Sequence, residues 1–160
     1  MRIFKETQAF RQWWLLLVLS GAFIVIGLAL FKNSSGFQNN TWKYLGLIPV
    51  LIVAVMFWKL RLHTRIGPDG IKAYFEPFGI FKRSYNWNDI SRCYVRKYSP
   101  ITEYGGWGVR GTKKAKAYNV SGNMGIQIIT KNDERFLIGT RKPDEAKKVI
   151  ERYSEKIKHK

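Results

Sequence analysis

The sequence offers little for redox or metal chemistry. Its 160 residues include one cysteine, Cys93. No internal disulfide can form, which fits a reducing compartment. The only histidines are His63 and His159. No Cys/His cluster exists, which argues against a structural zinc site. There is no Gly-x-Ser-x-Gly, and no glycine-rich loop ends in Gly-Lys-Ser/Thr. Those gaps argue against a hydrolase nucleophile and a nucleotide loop. Acidic residues are scarce: 11, against 28 Lys and Arg, for a net charge of +17. Such an excess points to an anionic partner, either nucleic acid or an acidic membrane surface. The chain reads as a non-enzyme, with no cofactor and no metal.

Charge is also missing from two long stretches. Trp13 to Phe31 (WWLLLVLSGAFIVIGLALF) runs nineteen residues without one. As a helix it rises roughly 28 Å, against a bilayer core of roughly 30 Å. Tyr44 to Trp58 (YLGLIPVLIVAVMFW) is likewise uncharged. The two predict a transmembrane hairpin over residues 1–60, with helices at about 13–31 and 42–60. Trp13, Trp14, Trp42, Tyr44 and Trp58 take the interface positions of an aromatic belt, with Lys59 and Arg61 beside them. A cleaved signal peptide is disfavoured, because the first run exceeds the usual 7–15 residues. Residues 1–12 read as a short polar arm. Basic residues gather there (Arg2, Lys5, Arg11) and just after Trp58 (Lys59, Arg61, Arg65), while the link carries only Lys32 and Lys43. The positive-inside rule then places both termini in the cytoplasm. The hairpin itself argues against nucleic acid as the partner.

Residues 61–160 read as one cytoplasmic domain. Short apolar runs suggest six or seven strands. Ile71 to Phe75 alternates after the turn Gly67-Pro68-Asp69-Gly70. Ile90 to Tyr98 alternates too, with Ile90, Arg92, Tyr94, Arg96 and Tyr98 assigned to one side. Met124 to Thr130 and Arg135 to Ile138 read as a hairpin. Pro143 suits a first helical position, and Ala146, Val149, Ile150, Tyr153 and Ile157 share a face. A helix is expected over about 143–158. Strands followed by one amphipathic helix give an α+β pattern.

The whole arrangement resembles bacterial membrane proteins that carry a pleckstrin-homology-like (PH-like) domain after two membrane helices. Ile66-Gly67-Pro68-Asp69-Gly70-Ile71, Trp87-Asn88-Asp89-Ile90, Tyr104 to Arg110 (YGGWGVR), Tyr118 to Asn123 (YNVSGN) and Gly125-Ile126-Gln127-Ile128 carry the resemblance. It implies a partly open β-barrel capped by the C-terminal amphipathic helix, at a bacterial inner (plasma) membrane. It also implies a binding or scaffolding role. Phosphoinositide-binding members use bases in the first hairpin, where this chain has Asp69.

Four bases in seven positions, Arg110, Lys113, Lys114 and Lys116, form the candidate contact with an anionic surface. The other reading is a solvated loop. The glycine-rich Tyr104 to Arg110 stretch reads as a binding loop or as a bulge and tight crossing. Ser121 lacks an activating base, and Trp87 reads as core. The sequence thus predicts a non-enzymatic, multi-pass membrane protein whose PH-like domain is a tethered protein-binding or regulatory module. Its expected partners are the lipid bilayer, an anionic lipid surface, a protein and a second copy of itself. Anionic-lipid headgroup binding and nucleic-acid binding are the alternatives.

Overall fold

A computed structural model describes residues 3–10, 13–32, 47–77, 79–112 and 114–158, and in it the N-terminal arm is a strand. Phe4–Ala9 forms β1. Phe4, Glu6 and Gln8 turn inward while Lys5 and Thr7 stay exposed, the period of two that a strand imposes. β1 pairs antiparallel with β2 (Arg61–Gly67), from Phe4 opposite Ile66 to Ala9 opposite Arg61. β2 pairs with β3 (Gly70–Glu76), and β3 with β4 (Arg83–Tyr85). The β2–β3 turn requires a glycine at its end. Gly70 has φ +142, and a side chain there would strike the Tyr85 carbonyl.

The second sheet has the order β5-β8-β9-β7-β6. Its strands are β5 (Ile90–Lys97), β6 (Gly108–Gly111), β7 (Ala115–Asn119), β8 (Met124–Thr130) and β9 (Arg135–Gly139). β7 and β9 run parallel and the other pairs antiparallel. A register shift between Ile90 and Arg92 bulges β5. The bulge separates Ile90 from the face assigned to it: Ile90 is fully buried while Arg92 and Tyr94 are exposed.

The two sheets share one core. Phe75 meets Tyr118 at 5.5 Å between ring centroids, Tyr118 meets Phe136 at 4.8 Å, and Phe136 meets Tyr85 at 5.3 Å. The helix α4 (Pro143–Lys158) buries Ala146, Ile150 and Tyr153 against β5 and a 3-10 turn at Trp87–Asp89. Trp87 stacks on Tyr153 and donates its indole N–H to the Gly67 carbonyl at 2.8 Å. The strands, a five-residue helix α3 (Pro100–Tyr104) and α4 fall in one unit, Met1–Ala9 with Arg61–Lys160; α3 and α4 take their numbers after the two helices of the second unit.

That second unit is Phe10–Leu60. It holds α1 (Trp13–Lys32) and α2 (Leu47–Lys59), which touch each other, and Phe10 packs edge-on to Phe57 at 5.8 Å. Among the described residues no helix is long and apolar enough to cross a membrane.

This finding goes against the expected pair of transmembrane helices and, with it, the multi-pass inner-membrane placement with both termini cytoplasmic. The expected PH-like barrel of about seven strands is corrected as well. Among the described residues the fold is α+β, with two sheets and four α-helices. β1, β6 and β7 are strands not read from the sequence, and the β6–β7 hairpin lies where the glycine- and lysine-rich stretch predicted a loop.

Candidate anion-binding face

The outer face of the first sheet follows from strand alternation. Burying Phe4, Glu6 and Gln8 forces Lys5 and Thr7 outward; burying Leu62, Thr64 and Ile66 does the same for Arg61, His63 and Arg65. On β3 the outward residues are Lys72, Tyr74 and Glu76. Register lines these up across the strands. Lys5 lies opposite Arg65, and Arg65 opposite Lys72. The next row is Thr7, His63 and Tyr74, and the third is Ala9, Arg61 and Glu76.

Three cations in one cross-strand row are unfavourable by themselves, since like charges directly opposite each other destabilise a sheet. A cavity of about 420 Å³ lies over the first two rows, lined by Lys5, Glu6, Thr7, His63, Thr64, Arg65, Lys72, Tyr74 and Lys82. Lys82 precedes β4 and adds a fourth cation. The nearby carboxylates are engaged elsewhere. Glu76 sits 2.9 Å from His63 Nε2, and Glu6 accepts inward hydrogen bonds from Thr140 and Arg141. Among the described residues, none of the four cations forms an ion pair within 4.0 Å. His63 is held on three sides: Thr7 Oγ1 at 3.0 Å from Nδ1, the Glu76 carboxylate, and the Tyr74 ring stacked at 5.0 Å and 12°.

The residues singled out from the sequence lie elsewhere. Arg110 is on β6 opposite Ala117, and its Nε donates to the Trp107 carbonyl at 3.1 Å. Lys116 is on β7 opposite Gly111 and shares its face with the buried Tyr118. Register partners share a face and neighbours alternate, so Arg110 and Lys116 point to opposite sides of the second sheet. Lys114 is exposed, and its carbonyl accepts the Arg135 N–H at 2.8 Å. Lys113, Trp42 and Tyr44 lie outside the described residues, as does the loop between the two helices. Trp13 and Trp14 begin α1. Trp58 and Lys59 end α2, with Trp58 81% exposed. Arg61 alone joins the outer face described here, one row from His63.

The glycine-rich stretch is a helix terminus. Gly105 caps α3 in the left-handed conformation, φ 71, with its N–H on the Ile101 and Pro100 carbonyls. Gly106 donates to the Pro100 carbonyl at 2.8 Å. Gly108 then donates to Asn119 Oδ1 at 2.8 Å, joining β6 to β7.

Beside it, Arg96 grips Glu103 with two nitrogens, at 3.2 and 2.7 Å, and its Nε donates to Gln127 at 3.0 Å. The Arg96 hydrogen bond and the Ser99 N–H hold the Glu103 carboxyl below its ordinary range. Burial pushes the Cys93 thiol up to about 12, which leaves it inert at neutral pH. Ser121 accepts the Arg141 Nε at 2.9 Å. No group of three or more His, Cys, Asp or Glu suited to a metal occurs among the described residues.

The cationic face had a sequence signal that charge runs hide. Lys5-x-Thr7, His63-x-Arg65 and Lys72-x-Tyr74 each put two polar side chains on one side of a strand. Lys5-x-Thr7 lies more than fifty residues from the other two, so only sheet register joins all three. The class that emerges is a two-sheet α+β domain with a cationic sheet face. Compared with protein-family models and with curated proteins, the chain matches none.

Proposed function

We propose that this protein is a non-enzymatic binding module that takes an acidic protein segment on the outer face of its first sheet. The observation that carries the reading is the row Lys5, Arg65 and Lys72, joined by Lys82 and lacking carboxylate partners among the described residues. Neighbouring strands lie about 4.8 Å apart, so the row is roughly 10 Å long. One carboxylate cannot reach across it. Several carboxylates on one extended segment can, since alternate residues of a strand repeat about every 6.8 Å. The chain's +17 charge would steer such a partner and speed its encounter.

The test is fluorescence anisotropy of a labelled eight-residue oligoglutamate with the full-length protein. Binding is expected to weaken at least tenfold in Arg65→Glu/Lys72→Glu and to fall with added salt. Unchanged affinity in that double variant overturns the reading. So does the case in which the peptide fails to bind while a single-stranded oligonucleotide or vesicles of anionic lipid bind through the same residues.

A further inference from the structure

A second cleft opens at the mouth between the two sheets. It measures about 300 Å³ and is lined by Arg83, Tyr85, Lys116, Glu134 and Arg135. Arg83 lies opposite the buried Ala73, and Tyr85 opposite the buried Ile71, so both belong to the inward face of the edge strand β4. Lys116 lies opposite the buried Phe136 on the inward face of the second sheet. Arg83 and Lys116 are half-buried between the sheets, and a partly desolvated charge is costly without a counter-charge, while Arg135 and Glu134 are exposed and line the cleft's rim. Glu134 supplies one negative charge against three positive, and none of these four forms an ion pair within 4.0 Å among the described residues. The surplus equals the charge of a phosphate dianion near neutral pH.

We propose that this cleft binds hydrogen phosphate, with Arg83, Lys116 and Arg135 on the anion's oxygens and Tyr85 donating its hydroxyl. Glu134 then has a role instead of being a flaw. Hydrogen phosphate carries one P–OH, and a carboxylate can only accept. Sulfate at neutral pH has no proton to give and meets Glu134 as an unrelieved repulsion. The Tyr85 phenol is protonated at neutral pH and can donate, and Phe136 packs on its ring at 5.3 Å.

Calorimetric titration of the full-length protein separates the outcomes, using inorganic phosphate, sodium sulfate and phenyl phosphate at matched ionic strength. Phosphate is expected to bind at least tenfold more tightly than sulfate. Glu134→Gln should narrow that gap, and Arg83→Gln should weaken phosphate at least tenfold with its circular dichroism unchanged. Tyr85→Phe, which keeps the ring packing, serves as a milder variant and should weaken phosphate severalfold. Phenyl phosphate binding as tightly as inorganic phosphate moves the source to a phosphomonoester and overturns the P–OH argument. Equal affinity for phosphate and sulfate overturns it too. If Arg83→Gln leaves phosphate binding intact and brings on self-association, Arg83 is a guard on an open sheet edge and the site is wrong.

Discussion

The Glu6 carboxylate accepts the Thr140 hydroxyl at 2.6 Å, across 134 positions of sequence. Its second oxygen accepts the Arg141 N–H at 2.8 Å, and Thr140 Oγ1 in turn accepts the Lys142 N–H at 3.1 Å. Beside it, Gln8 donates to the Gly139 carbonyl at 2.7 Å. β1 therefore holds the turn that leads into α4. Glu6 is 7% exposed, so its partners cannot turn to water freely. Glu6→Ala should cost about 2–3 kcal/mol by leaving buried donors unmade, and Glu6→Gln less, because one acceptor oxygen remains. Urea denaturation checks this. A loss below about 0.5 kcal/mol for Glu6→Ala would show that β1 does not anchor α4.

The same contact explains what the sequence hid. The inward residues of β1 are Phe4, Glu6 and Gln8, two of them polar, so hydropathy reads an arm. Their partners lie at positions 139–141, and local pattern cannot see them. Strands with apolar inward faces were legible: Met124 to Thr130 and Arg135 to Ile138 form the paired β8 and β9. The stripe Ala146, Val149, Ile150 and Tyr153 lies along α4. Trp87 was readable as core because a large aromatic beside a strand has few other places to go. Ile90 was assigned to the wrong face because a one-residue bulge at Ser91 changes the phase of β5. The cationic face needed the register of three strands, two of them more than fifty residues apart.

Gly70 should not accept a side chain. Its φ of +142 is unfavourable for any L residue, and a Cβ would meet the Tyr85 carbonyl. Gly70→Ala is expected to cost roughly 2–3 kcal/mol, through strain and parting of β3 from β4. Gly79→Ala is the control, since nothing lies within 4 Å of a Cβ there. Thermal unfolding of both variants gives the comparison. Equal midpoints would mean the turn relaxes without cost.

The Glu103–Arg96 pair makes acid stability depend on pH in a definite direction. The Glu103 carboxyl is held below its ordinary value of 4.5. Its contribution is therefore complete above about pH 4.5 and is lost as pH falls through the depressed folded value. The Glu103 side chain is 37% exposed, so solvent screening limits the pair to about 0.5 kcal/mol. Glu103→Gln should lower stability by that amount at pH 7 and by almost nothing at pH 2. A difference of the same size at both pH values would assign the effect to packing on α3.

Three phenols predict the opposite edge. Burial raises Tyr85, Tyr98 and Tyr104 above the ordinary value of 10.0. A raised phenol favours the protonated fold, so this stability is complete below about pH 10 and is lost as pH rises beyond it. Absorbance at about 295 nm should show part of the eight tyrosines ionising late in the native protein and together with the rest in urea. Superimposable native and unfolded titrations would contradict the burial of these rings.

Cys93 should resist alkylation until the fold opens. It lies on β5 opposite Ile128, and burial pushes its thiol from 9.0 up to about 12. The thiolate is the nucleophile, so at pH 8 its population falls about a thousandfold relative to an ordinary cysteine. Iodoacetamide should label the native protein at least about a hundredfold more slowly than the urea-unfolded chain, with local opening setting the residual rate. Mass spectrometry of the labelled fraction over time measures both rates. Fast labelling of the native protein, with the fold intact by circular dichroism, would mean that the β5 edge opens freely. That edge, not the cationic face, would then become the first place to look for a partner strand.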